Sequence, residues 1–163
     1  KDIAALKGSP QVIYFITSDR PLLDDKPMIF LPEGRRIFCL MQYSHFCPEM
    51  SPKGKFLFEA AAFLGDSNPP YDFKKETELQ MLDLRENIKD FDKYARIMRI
   101  NWYRGPWGLM RTWAGHSLPI QSPIMGLYLT GDSSAPSGWW GSSAAVKSGR
   151  LTAEDIIQRY KPA

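Results

Sequence analysis

Hydrophobic positions fall into short β-type runs in the first part of the chain and into helix-type spacing at two later places. The runs QVIYFIT from Gln11, MIFL (Met28–Leu31), RIFCLMQYS (Arg36–Ser44) and KFLFEAAAFL (Lys55–Leu64) are rich in β-branched and aromatic residues, and each predicts a strand. Between them LLDDKP, PEG and CPEMSPKG carry the Pro, Gly and Asp that turns require. Turns this short favour consecutive antiparallel pairing over parallel crossovers, so the pattern predicts a meander sheet. After PPYD the spacing changes. Leu79, Leu82, Leu84 and Ile88 recur at helical intervals among charges, which predicts one amphipathic helix over Phe73–Ile88 with Asp72 as its N-cap. RIMRINWYRG (Arg96–Gly105) returns to the sheet, and a loop containing Pro106, Gly108, Gly115 and Pro119 follows.

The best-defined unit closes the chain: GLYLTGDSSAPSGWWGSSAAVKSGRLTAEDII, Gly126–Ile157. It predicts a strand over Gly126–Thr130, a loop over Gly131–Gly141, a helix from about Ser142 to Tyr160 and a stop at Pro162. Ala145, Val146, Gly149, Ala153, Ile156 and Ile157 fall on one face of that helix. Glycine inside a helix costs roughly 1 kcal/mol relative to alanine, and close packing against a covering element is a physical reason to keep Gly149. A strand, an acidic residue at its tip, a Gly/Ser loop and a helix form an arrangement that holds nucleotide-type ligands. The Gly-rich turn G-x-G-x-x-G that a self-sufficient dinucleotide site also needs occurs nowhere in the sequence, so the chain reads as the back half of an enzyme.

GLYLTGD, Gly138, Gly141, Ala145, Ser148-Gly149 and the Ala153–Ile157 tail resemble the closing segment of the flavin-dependent amine oxidase and phytoene desaturase superfamily. Upstream, the YFIT strand, the DRPLLDD turn and SPKGKFLFEAA before a helix are similar in order to that family's substrate domain. The resemblance implies an α+β fold: a mostly antiparallel sheet with a flanking helix, plus a C-terminal strand-loop-helix belonging to an FAD-binding Rossmann-like domain. It implies that residues 1–120 are part of a substrate-binding domain and 121–163 the closing segment of the FAD domain. It further implies hydride transfer from an amine or an apolar, polyene substrate to flavin, with the adenosine and pyrophosphate grip in a missing N-terminal half. FAD binding by this chain alone is then expected to be weak or absent.

The implied cofactor contacts are Gly131, Asp132, Gly138, Trp139, Trp140, Gly141 and Ser142. A carboxylate at a strand tip accepts hydrogen bonds from polyol hydroxyls, and the glycine before it lets the backbone approach a ligand closely. The helix that follows points unpaired N–H groups at the ligand. Trp139 and Trp140 depart from the family pattern; they stack near the isoalloxazine, wall off a substrate channel, or simply pack. No acid or base is assigned as catalytic, because in hydride transfer to a flavin the cofactor carries the chemistry.

Composition narrows the alternatives. A hydrophobic share of 44% and a charged share of 24% belong to a folded protein. A net charge of +3 with scattered basic residues gives no stripe for nucleic acid. The longest apolar stretch, Phe56–Leu64, is too short for a bilayer, which takes about 20 residues. Cys39 and Cys47 are too few for a disulfide scaffold, and a cytoplasmic setting is the default expectation. Cys39, His45, Cys47 and His116 lack zinc-ligand spacing, so no metal is expected. The aromatic segment from Trp102 to Trp113 reads as core packing before a pocket lining, Lys53 and Lys55 as solvent-facing. The rival reading is a stand-alone α+β module that binds a hydrophobic ligand or a partner chain, without redox activity, as a monomer or homodimer.

Overall fold

The computed structural model of the chain describes residues 10–64, 70–104, 117–139 and 141–160. They divide into two compact units, Pro10–Tyr103 and a second whose described residues lie from 104 onward.

The Pro10–Tyr103 unit is a five-stranded antiparallel sheet with helix against one face. Its strands are β1 (Gln11–Ser18), β2 (Met28–Phe30), β3 (Ile37–Gln42), β4 (Phe56–Phe63) and β5 (Ala95–Tyr103), in the order β2-β3-β4-β1-β5. The α+β class with a mostly antiparallel sheet and a flanking helix is therefore as the sequence predicts. The meander holds only for β2-β3-β4. β1 lies between β4 and β5, with Ser18 opposite both Phe56 and Ala95. The reason is visible in β1 itself: Val12, Ile13, Tyr14 and Ile16 are all buried, so both of its faces are covered, which is the environment of an interior strand. Two of the connections are short helical turns, α1 (Tyr43–Phe46) after β3 and α3 (Phe91–Tyr94) before β5, and a 3-10 turn spans Pro48–Met50.

α2 (Phe73–Asn87) matches its predicted span, and the Asp72 carboxylate caps it by accepting from the Lys75 N–H at 3.0 Å. Leu84 and Ile88 join Val12, Tyr14, Ile16, Leu40 and Phe58 in the main core. The rest of the inward face is not the leucine stripe the spacing predicts. Leu82 is exposed, while Glu76, Gln80 and Asp83 are buried. Asp83 accepts from the backbone N–H groups of Arg35, Arg36 and Ile37 at 3.0, 2.6 and 2.9 Å, and Arg36 pairs with Glu76 at 2.5 Å. The Tyr14 hydroxyl donates to Gln80; burial pushes that phenol up to about 12.

The opposite face of the sheet carries a smaller cluster, Ile13, Cys39 and Ala61, with Phe15, Phe38 and Tyr103 half-buried around it. Glu59 lies on this face opposite Phe15 and accepts a hydrogen bond from the Tyr43 hydroxyl at 2.6 Å. Desolvation first, and then the Glu59 carboxylate, raise the Tyr43 phenol well above its ordinary value. Cys39 and Cys47 are free thiols, Cys39 buried and Cys47 exposed. Trp102 packs on the main core and meets Phe73 edge-on at 4.8 Å, the packing role the sequence favours for it; residues 105–116 of the aromatic segment, His116 included, lie outside the described residues.

In the second unit the closing helix, α4, spans Gly141–Arg159. The segment predicted as the strand Gly126–Thr130 is not a strand: Gly126 lies in a turn at φ 82°, closed by the Leu127 N–H to the Ile124 carbonyl, and an isolated antiparallel bridge between Gln121 and Tyr128 stands in place of a ladder. Two backbone bonds, Leu129 N–H to Ile120 at 2.8 Å and Ser122 N–H to Leu127 at 3.2 Å, hold it to the preceding residues.

Candidate functional site

The predicted contacts gather at the foot of α4. Gly131 has φ 135° and ψ −176°, a backbone open to glycine and strained for other residues, at the start of the loop. Its N–H donates to the Ser148 hydroxyl at 3.0 Å, and the Thr130 and Ser148 hydroxyls lie 3.2 Å apart. These bonds anchor the loop to the second turn of α4. Asp132 then begins a 3-10 turn, Asp132–Ser134, that packs against the helix. The Leu118 N–H closes the turn from outside by donating to the Ser133 carbonyl at 2.7 Å.

Asp132 is half-buried, and among the described residues no hydrogen bond or ion pair reaches its carboxylate. Gly138 and Gly141 also take positive φ, 89° and 58°. A Cβ placed at Gly131, Gly138 or Gly141 would have nothing within 4 Å. These three glycines therefore serve the path of the chain and leave open space above it, room in which a ligand can approach the backbone. Ser142 is exposed in the first turn of α4, where the N–H groups have no partner within the helix. Trp139 is 48% exposed. Trp140 lies outside the described residues.

Trp139, Ser142, Ser143, Val146, Lys147 and Arg150 line an open cleft of about 400 Å³ along the start of α4. The Lys147 ammonium stands 5.7 Å from the centre of the Trp139 ring. Sequence reasoning missed Lys147 and Arg150. The signal is there in retrospect: Ser143, Val146, Lys147 and Arg150 repeat at three- and four-residue steps, so they share the helix face next to Trp139. With its two cations, its hydroxyls and the helix N-terminus, the cleft suits an anionic or polarisable ligand that has a flat apolar part.

The face that α4 buries differs from the expected one by a single position. Ala144, Ser148 and Thr152 are buried, whereas Val146, Ile156 and Ile157 are exposed. Gly149 is not closely packed, since a Cβ there would meet only the Thr130 hydroxyl, at 3.8 Å, an ordinary contact. Farther along, Asp155 joins Arg159 at 2.9 Å and accepts from the Gln121 amide at 2.8 Å. Desolvation would raise the Asp155 carboxyl, but the bonds from Arg159, Tyr128 and Gln121 outweigh it and hold the group below its ordinary value. Among the described residues no group of three His, Cys, Asp or Glu side chains could hold a metal, and no helix is long and apolar enough to cross a membrane.

No protein-family model matches the chain, and no curated protein sequence does. The fold has a counterpart among solved structures. The crystal structure of an oxidoreductase from Methanosarcina mazei superposes with a TM-score of 0.80 at 23% identity, over 93% of this chain and 35% of that one. The chain thus spans about a third of the length of the structure whose fold it shares.

Proposed function

We propose that the chain is part of an FAD-dependent oxidoreductase, in which the segment from Gly131 into α4 contacts the flavin nucleotide and the Pro10–Tyr103 sheet forms part of the substrate domain. The observation that carries this reading is the Asp132 carboxylate, unpartnered among the described residues, between open, positive-φ glycines at the foot of a long helix. The fold likeness to a structure described as an oxidoreductase supports it, and so does the resemblance of the closing motif to flavin-dependent amine oxidases and phytoene desaturases.

These residues fit the group. Asp132 has free acceptor capacity for hydroxyls of a sugar-like chain. The open backbone at Gly131, Gly138 and Gly141 admits a ligand at van der Waals distance. The first N–H groups of α4, with Lys147 beside them, present positive potential to an anionic edge, and Trp139 offers a flat apolar wall that excludes water. When bound, FAD supplies the two-electron acceptor, and this chain's residues hold and shield it. The substrate is an amine or an apolar polyene, and the half-buried Phe15 and Phe38 beside Ile13 and Ala61 give the sheet an apolar surface for it. The dinucleotide grip belongs to a segment that this sequence lacks.

The same sheet face favours the rival reading, a module that binds a hydrophobic ligand without redox chemistry. Asp132→Ala in the complete oxidoreductase separates the two. The expected result is loss of FAD affinity by about tenfold or more, the worth of one charge-assisted contact, with the circular dichroism spectrum unchanged. Unchanged FAD affinity would remove Asp132 from the site, and tight stoichiometric flavin binding by this chain alone would overturn the division of the site between two segments.

A further inference from the structure

A second cleft, of about 290 Å³, lies in the Pro10–Tyr103 unit, where the end of β1 meets the starts of β4 and β5. Thr17 is the cross-strand partner of both Leu57 and Arg96, so these three side chains stand in a row on the face opposite the main core. Met50 and Met98, 51% and 64% exposed, complete an apolar floor and rim with Leu57. Methionine on a surface is an adaptable contact for alkyl chains.

Among the side chains that line the cleft, cations outnumber acids two to one. Lys55 and Arg96 line the cleft with Asp19. Arg20 and Lys93 stand 4.5 and 5.0 Å from the centre of the Tyr94 ring, another lining residue. The Tyr94 phenol is held below its ordinary value, by Lys93 first and Arg20 after it. Asp19 is the one acid lining the cleft. It pairs with Lys55, and that hydrogen bond together with the charges of Lys55 and Arg96 keeps its carboxyl below the usual range. The Arg96 guanidinium makes no hydrogen bond or ion pair among the described residues.

The geometry points to a binding site for a single-chain amphiphile, whose phosphate or carboxylate head sits between Lys55 and Arg96 and whose alkyl chain lies on Leu57, Met50 and Met98. Such a ligand satisfies both halves of the cleft: the head takes up the spare positive charge and the chain covers the apolar floor. The unliganded state keeps Lys55 engaged with Asp19, so a head group competes with Asp19 for it. This inference does not depend on the flavin reading.

The test titrates the full chain with dodecyl phosphate below its micelle concentration, following heat and the methyl NMR signals of Met50 and Met98. Saturable binding at one site is expected, with inorganic phosphate at least tenfold weaker for want of the chain. Lys55→Gln and Arg96→Gln should each lower affinity about five- to tenfold, since both side chains are exposed and leave the fold intact. Asp19→Asn should raise it severalfold by releasing Lys55, a gain that a merely structural role would not produce. Absence of saturable binding, affinity unchanged from the wild type in both charge variants, or weaker binding by Asp19→Asn would each overturn the assignment. Vesicles then distinguish the sources. Sedimentation with phosphatidylcholine–phosphatidylglycerol vesicles, but not with phosphatidylcholine alone, assigns the head to a lipid surface; dodecyl phosphate binding without vesicle sedimentation assigns it to a free amphiphile.

Discussion

The Asp83 carboxylate is wholly buried in the Pro10–Tyr103 unit, yet it is densely hydrogen-bonded. It accepts three consecutive backbone N–H groups and the Arg35 guanidinium at 3.1 Å. Desolvation would raise this carboxyl, but the bonds from Arg36, Ile37 and Arg35 outweigh it and hold it below its ordinary value. The sign of the pH effect follows. In the window below the unfolded value of about 4 the unfolded chain binds the proton first, so the stability from Asp83 is fully present above that value and is lost as pH falls through the lower folded one. Asp83→Asn keeps the shape but replaces one accepting oxygen with a donor that faces backbone donors. We expect a loss of about 3–4 kcal/mol, measured by urea unfolding at neutral pH, and a flatter acid limb in the variant. A loss under about 1 kcal/mol would mean that the turn before β3 finds other acceptors. Nothing local in the sequence marks this residue, because its partners lie 46 to 48 positions away.

At the scale of elements, the sequence discloses spans better than faces. The extents of α2 and α4 and the β character of β1 to β5 follow from spacing and turn residues, since these are local properties. The place of β1 between β4 and β5 is a non-local pairing, and no local pattern encodes it. The inward faces of both long helices were misread for one reason: hydrophobicity selects Leu82, Val146 and Ile157, while hydrogen-bond partners pull in polar residues instead. Glu76 and Asp83 go inward to meet Arg36 and the N–H groups before β3, and Ser148 goes inward to hold Gly131. The candidate site was legible where glycine is required, at Gly131, Gly138 and Gly141, and illegible at Lys147 and Arg150, which read as ordinary solvated charges until Trp139 is placed beside them. Gly149 gives a direct check. With an ordinary 3.8 Å contact awaiting a Cβ, Gly149→Ala is expected to stabilise the chain by about 1 kcal/mol through helix propensity, read as a higher urea midpoint. Destabilisation would restore close packing as the reason for the glycine.

At the scale of the molecule, the two units differ in what holds them together. Among the described residues, the main core, from Val12 through Leu84 to Phe91, lies within Pro10–Tyr103 and includes Tyr14, Ile16, Phe58 and Leu84 at 0% exposure. Burying a large apolar side chain contributes roughly 1.5–3 kcal/mol, so this set gives the Pro10–Tyr103 unit a core of its own. In the second unit the only buried hydrophobic residues among those described are Ala135 and Ala144, and the buried polar ones are Ser134, Ser148 and Thr152. Among the described residues, the buried set of this unit is small and largely polar. α4 meanwhile leaves Val146, Ile156 and Ile157 in solvent, 74%, 38% and 64% exposed. We expect a polypeptide of residues 10–103 to unfold in one sigmoidal transition by far-ultraviolet circular dichroism, and a polypeptide of residues 104–163, with a peptide of residues 1–9 added because they belong to the same unit, to show little helix and narrow amide dispersion by NMR. A well-dispersed spectrum from the second polypeptide would mean that its stability comes from within, and α4 would then need no cover from elsewhere. A collapsed one would fit a closing segment whose helix is ordered by the body it docks on, as the proposed division of the flavin site requires.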